Sequence, residues 1–184
     1  MIPGSLARRY ARALLQLAES PTERDRLATD MSRFSELVRE RDADGMIVLQ
    51  HLDAGRFPLA QRKRLLEALV LRAGLHTKLT RFLVYVLERG RFRGVPQMAR
   101  AAMDLADTAA NRVRARVTSA RPLDSDVIVR LRSSLERATA KTVVLETSVD
   151  SELIGGLVAT IGGYVLDGSV RTTLANLRSS LHGS

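Results

Sequence analysis

The 184-residue chain is long enough for one ordinary domain or two small ones, each with a modest core. Hydrophobic residues make up 45% and charged residues 27%, which excludes a disordered chain, and there is no apolar run of the roughly eighteen residues that a membrane helix needs. Cysteine is absent, excluding disulfides and thiolate metal sites, and the net charge of +9 is supplied almost wholly by arginine, since Lys63, Lys78 and Lys141 are the only lysines.

The charge is uneven. Residues 1–105 hold 19 basic and 12 acidic side chains, net +7, and the remaining residues 10 and 8, net +2. Such a balance suits an acidic protein partner, nucleic acid, an anionic membrane surface, or simply a solvated charged surface. The N-terminus Met1-Ile2-Pro3-Gly4-Ser5-Leu6-Ala7-Arg8 lacks the apolar core of a signal peptide, so the chain is expected to stay in the compartment where it is made.

Leu6, Tyr10, Leu14 and Leu17 recur at helical spacing with Ala7, Ala11, Ala13 and Ala18 among them, predicting a first helix that packs closely. Ser20-Pro21-Thr22-Glu23 is a capping box with proline at the first helical position; it opens a second helix with Leu27, Met31, Phe34 and Val38 inward. Met46-Ile47-Val48-Leu49 reads as a short buried helix, with a strand as the alternative. Pro58 opens a fourth helix carrying Leu65, Leu66, Leu69 and Val70 and ending near Gly74. Leu75, Leu79, Phe82, Leu83, Val86 and Leu87 form the wide apolar face of a fifth, which Gly90 ends. Met98, Ala102, Leu105 and Ala109 mark a sixth, from Pro96 to about Asn111. Six short amphipathic helices with brief connections predict a helical bundle over residues 1–111.

At Arg112 the period changes from helical to alternating, with Val113, Ala115 and Val117 on one face. Asp124 or Ser125 then caps a helix with Ile128, Leu131, Leu135 and Ala138 inward, and Val143, Leu145, Thr147 and Val149 alternate along a second strand. Leu157 to Ile161 and Tyr164 to Leu166, set off by Gly155-Gly156 and Gly162-Gly163, predict a hairpin. Ser169 is placed to cap a last helix with Val170, Leu174, Leu177 and Leu181 inward. The fold expected is mostly α: the six-helix bundle, then a small α+β domain, β-α-β-β-β-α, over residues 112–184.

No reaction chemistry stands out. The glycine pairs flank a strand and do not open a helix, and the chain has no phosphate-loop pattern. His51, His76 and His182 are scattered without metal-ligand spacing, and Asp104 and Asp107, three apart on one helix, read as a solvated face. No catalytic residue, cofactor or metal is expected. Arg56, Arg62, Lys63 and Arg64 with Arg89, Arg91 and Arg93 raise a basic nucleic-acid-binding helical protein as the alternative, disfavoured because only Phe57 and Phe92 offer rings near them.

Val149-Asp150-Ser151-Glu152-Leu153-Ile154-Gly155-Gly156 and Asp167-Gly168-Ser169-Val170-Arg171 resemble, in residues and separation, the V-D-x-x-L-I-G-G and D-G-S-V-R elements of the δ subunit of F-type ATP synthases, the family of the mitochondrial oligomycin-sensitivity-conferring protein. Val117-Thr118-Ser119-Ala120-Arg121-Pro122-Leu123 resembles that family's domain junction. Phe82-Leu83-Val84-Tyr85-Val86-Leu87-Glu88-Arg89-Gly90-Arg91 resembles its fifth helix, and Arg9-Tyr10-Ala11-Arg12-Ala13-Leu14 its opening, so the likeness runs nearly the whole chain. The family's fourth helix usually starts from a Ser or Thr cap, which Arg56-Phe57-Pro58 lacks.

The resemblance implies a non-catalytic stator subunit. In it the helical domain (1–111) binds N-terminal helices of the α subunits on the catalytic head, and the second domain (112–184) binds the peripheral-stalk b subunit, resisting rotor torque during proton-driven synthesis. It implies a peripheral position on the cytoplasmic face of the bacterial cell membrane, without direct insertion. Asp150, Leu153, Ile154, Gly155, Gly156, Asp167, Gly168, Ser169 and Val170 then serve as a structural signature. The apolar faces of the first and fifth helices, Tyr10, Leu14 and Leu17 with Leu79, Phe82, Leu83 and Val86, are the candidate groove for a partner helix; the bland reading is that they are bundle core.

Overall fold

The computed structural model describes residues 3–40, 47–53, 57–151, 153, 156–161 and 164–169, the last stretch by its backbone alone. The protein is mostly helical with a small sheet, and it divides into two compact units, Met1–Ala110 and Asn111–Ser184.

The first unit holds α1 (Gly4–Gln16), α2 (Pro21–Leu37), α3 (Val48–Asp53), α4 (Leu59–Arg72), α5 (Thr77–Glu88) and α6 (Val95–Ala109), with a 3-10 turn at Phe92–Gly94. The start of α2 follows from its capping residues. Ser20 Oγ accepts from the N–H of Glu23 (3.1 Å), Pro21 needs no partner at the first position, and the Glu23 carboxylate reaches back to the N–H of Glu19 (2.7 Å). Leu27, Met31, Phe34 and Val38 are fully buried, and Phe34 meets Phe92 edge-on at 6.1 Å.

α6 packs against both α1 and α2, through Met98, Ala99, Ala102 and Ala106. That contact decides which way α1 faces. Ala7, Ala11, Leu14 and Leu15 are buried, whereas Leu6 and Tyr10 are half-buried and Leu17 is 43% exposed. The stripe expected from leucine spacing is thus rotated, because close approach to α6 selects the alanines. α3 starts later than its apolar run suggests and fully buries only Leu52; Met46 lies outside the described residues. In α4, Leu66 and Val70 are buried and Leu65 is exposed, and Pro58 provides no side-chain cap. The turn after α5 needs Gly90, whose φ of +63° is strained for any residue with a Cβ.

In the second unit Asn111, at φ +50°, turns the chain into β1 (Arg112–Ser119). α7 (Ser125–Thr139), β2 (Thr142–Val149), β3 (Gly156–Ile161) and β4 (Tyr164–Ser169) follow, in the sheet order β2-β1-β3-β4. β1 and β2 run parallel with Ala115 opposite Leu145; β3 is antiparallel to β1, and β4 to β3. α7 is the crossover that a parallel pair requires. Its Leu131 and Leu135 cover Val113, Ala115, Val143, Leu145 and Ile161, and its Glu136 carboxylate accepts from the N–H of Val143 (3.1 Å). Ala138, expected inward, is exposed. On the opposite sheet face Arg114 and Arg116 reach Glu146 at 3.1 and 3.5 Å, and Thr118 meets Ser148 at 3.0 Å.

One local expectation changes. The ladder continues through Asp167, Gly168 and Ser169, paired with Val158, Leu157 and Gly156, so the last strand runs three residues past the Tyr164 to Leu166 expected. The helix expected to carry Val170, Leu174, Leu177 and Leu181 lies outside the described residues.

Candidate partner-docking groove

The rotation of α1 leaves its Leu6, Tyr10 and Ala13 edge beside α5, where Phe82 and Tyr85 project from the facing helix. Together with Arg9 and Arg91 they line an open groove of about 290 Å³. Tyr10 packs against Phe82 (centroids 6.3 Å apart, planes at 70°) and Tyr85 (6.3 Å, 40°), and Tyr85 is 46% exposed. A floor made of the buried Phe82 ring flanked by the partly exposed rings of Tyr10 and Tyr85 is suited to the apolar stripe of an amphipathic helix.

Of the residues expected to form this groove, Tyr10 and Phe82 line it. Leu14, Leu79, Leu83 and Val86 are fully buried in the core beneath it, and Leu17 stands exposed at the end of α1. Sequence reading missed Leu6, Ala13, Tyr85, Arg9 and Arg91. Tyr85 falls on the flank of the α5 stripe, and Leu6, read as part of the α1 stripe facing the core, is turned to the groove by the burial of Ala7 and Ala11, a tertiary effect.

The groove runs between antiparallel helices, and its two ends differ in charge. At the Tyr85 end, the guanidinium carbon of Arg91 lies 6.0 Å from the Tyr10 ring centroid and that of Arg89 5.1 Å from the Tyr85 centroid. At the Leu17 end, the Lys78 ammonium donates to the Leu17 carbonyl (2.9 Å) and to Glu19 (2.8 Å), and it lies 2.8 Å from Glu23. These bonds to Glu19, then Glu23, hold the Lys78 pKa above its ordinary value. The Glu23 pKa is held below the ordinary one, first by the Glu19 N–H and then by Lys78. His76 Nε2 lies 3.3 Å from Glu23.

Of the other basic residues grouped in the sequence, Arg62, Lys63 and Arg93 are engaged within the unit and Arg64 is exposed. Arg62 donates to the Leu52 carbonyl (3.1 Å), Lys63 pairs with Glu88 and Arg93 with Asp53; Arg56 is outside the described residues.

In the second unit the signature residues occupy the turn after β2 and the β3–β4 ladder. Asp150 donates its N–H to the Ser119 carbonyl (2.9 Å) and accepts from the N–H of Leu153 (3.2 Å). Gly156 opens β3 at φ +81°, opposite Ser169, with Gly168 opposite Leu157 and Asp167 opposite Val158. Ile154, Gly155 and Val170 are outside the described residues.

Residues 6–181 match the sequence model of the family described as ATP synthase delta (OSCP) subunit. The chain is 36% identical over 183 residues to the ATP synthase subunit delta of Myxococcus xanthus (strain DK1622), spanning 98% of each. It is 37% identical over 183 residues to that of Anaeromyxobacter dehalogenans (strain 2CP-C), spanning 98% of this chain and 99% of the relative. Among solved structures, a chain of the cryo-EM structure of the Toxoplasma gondii mitochondrial ATP synthase hexamer shares the fold, with a TM-score of 0.63, 21% identity, and coverage of 96% of this chain and 97% of that one.

Proposed function

The chain belongs to the ATP synthase delta (OSCP) subunit family, and from that premise we propose that it acts as a non-catalytic stator link between the catalytic head and the peripheral stalk. Its helical unit binds N-terminal helices of the α subunits in the groove between α1 and α5. Its second unit, residues 112–184 as read from the sequence, binds the end of the b subunit, with the signature from Asp150 to Val170 shaping that unit. Two contact surfaces on one chain raise the effective concentration at each, which suits a link that must not slip under torque. It works peripherally on the cytoplasmic face of the bacterial membrane; no helix among the described residues is long and apolar enough to cross one.

The observation that carries this reading is the aromatic groove lined by Tyr10, Phe82 and Tyr85, left open above a sealed core. Titrating a peptide of the α subunit's N-terminal helix, taken from the same organism, into the full chain tests it. Saturable binding is expected, lost when Ala13→Trp fills the groove. Equal binding by the Ala13→Trp variant, or none by the unaltered chain, sinks the groove assignment.

A further inference from the structure

The positive end of the groove is built to read charge as well as apolar surface. α1 carries Arg8, Arg9 and Arg12 and no carboxylate. The one carboxylate of α5, Glu88, is taken up by Lys63. The ion pairs of α5 and the turn after it engage Lys63, Lys78 and Arg93, whereas Arg89 and Arg91 lie over the rings of Tyr85 and Tyr10. A guanidinium drawn to a ring face by cation–π attraction keeps N–H groups for an acceptor, and one so held loses less freedom when a carboxylate arrives. The opposite end is the reverse case. There Lys78 is already shared between Glu19 and Glu23, so an incoming carboxylate would meet two of its own sign.

We infer that the groove selects an amphipathic helix with carboxylate side chains beside its apolar stripe at the end lying over Arg9 and Arg91, and that these two arginines set the direction in which the helix lies. The inference rests on the docking reading above and adds the partner's charge pattern and polarity to it.

The test uses the full chain and three designed helical peptides that share one leucine stripe. One carries flanking glutamates in its N-terminal half, one in its C-terminal half, and the third has glutamines at all those positions. One glutamate peptide, and not the other, is expected to bind about three- to tenfold tighter than the glutamine peptide, with the advantage shrinking as salt rises. In the Arg9→Gln/Arg91→Gln variant, where glutamine is about as good a helix former as arginine at position 9 and position 91 lies outside the helices, the three affinities converge; Arg91→Lys keeps part of the preference. Equal affinities in the unaltered chain, or a preference that survives the double substitution, overturns the inference while leaving docking intact. Failure of the glutamine peptide to bind, or its equal binding to Ala13→Trp, overturns the docking reading and the inference with it.

Discussion

The backbone N–H of His76 donates to Oδ2 of Asp30 at 2.9 Å, across 46 residues of chain. Asp30 is 5% exposed on α2 and thereby fixes the residue that caps α5, for His76 Nδ1 in turn accepts from the N–H of Lys78 (3.2 Å). Arg26 and Arg33 approach Asp30 only to 3.9 Å and are themselves largely exposed, so they add little. Asp30→Ala leaves the His76 N–H without its acceptor and is expected to cost about 2 kcal/mol. Asp30→Asn, which keeps an oxygen there, should recover part of that in denaturant titrations of the full chain. An alanine variant as stable as the parent would show that water replaces the carboxylate.

The same corner predicts two pH windows of opposite sign. Glu23 has a folded pKa below the ordinary 4.5, so its stabilisation is present above 4.5 and is lost as pH falls through the folded value. Lys78 has a folded pKa above the ordinary 10.5, so its share is present below 10.5 and is lost as pH rises through the folded value. The Tm gap between parent and Glu23→Gln should therefore close in acid, and the gap for Lys78→Gln should close in strong alkali. A Glu23→Gln gap constant from neutral pH down through acid contradicts the ion-pair account.

Core and groove residues of α1 should separate by measurement. Leu14→Ala opens a cavity in the sealed core and is expected to cost about 2–5 kcal/mol, lowering Tm sharply. Ala13→Trp, at an exposed position on the groove, should change stability by about 0.5 kcal/mol or less while abolishing peptide binding. If Leu14→Ala instead left Tm unchanged and lost binding, the division between floor and core drawn at Tyr10 would be misplaced.

How far the sequence could be read depended on the range of the forces involved. The start of α2 was legible because Ser20, Pro21 and Glu23 act within one turn, and the face with Leu27, Met31, Phe34 and Val38 is selected by spacing alone. In α1 the same logic points to Leu6, Tyr10 and Leu17, whereas packing against α6 favours Ala7 and Ala11, a choice made by a helix some ninety residues away. Asp167-Gly168-Ser169 has turn chemistry, yet pairing with β3 keeps it extended. Strand order β2-β1-β3-β4 is equally long-range. Arg91 looked like one of a basic cluster; only the fold sets it over Tyr10.

Gly156 carries the last prediction. It sits at φ +81° at the first position of β3, opposite Ser169, so the outer ladder begins from a backbone conformation that side chains with a Cβ rarely adopt. Gly156→Val is expected to cost about 1–3 kcal/mol through strain, and the loss should appear in the second unit. Limited proteolysis should cut sooner after residue 111 than before it, and binding of the α-derived peptide to the first unit should persist. Attachment to a peptide from the tail end of the b subunit should weaken in step with that destabilisation. A variant that resists protease like the parent but no longer binds the b-derived peptide would mean that Gly156 touches the partner directly, and that its role is contact and not backbone geometry.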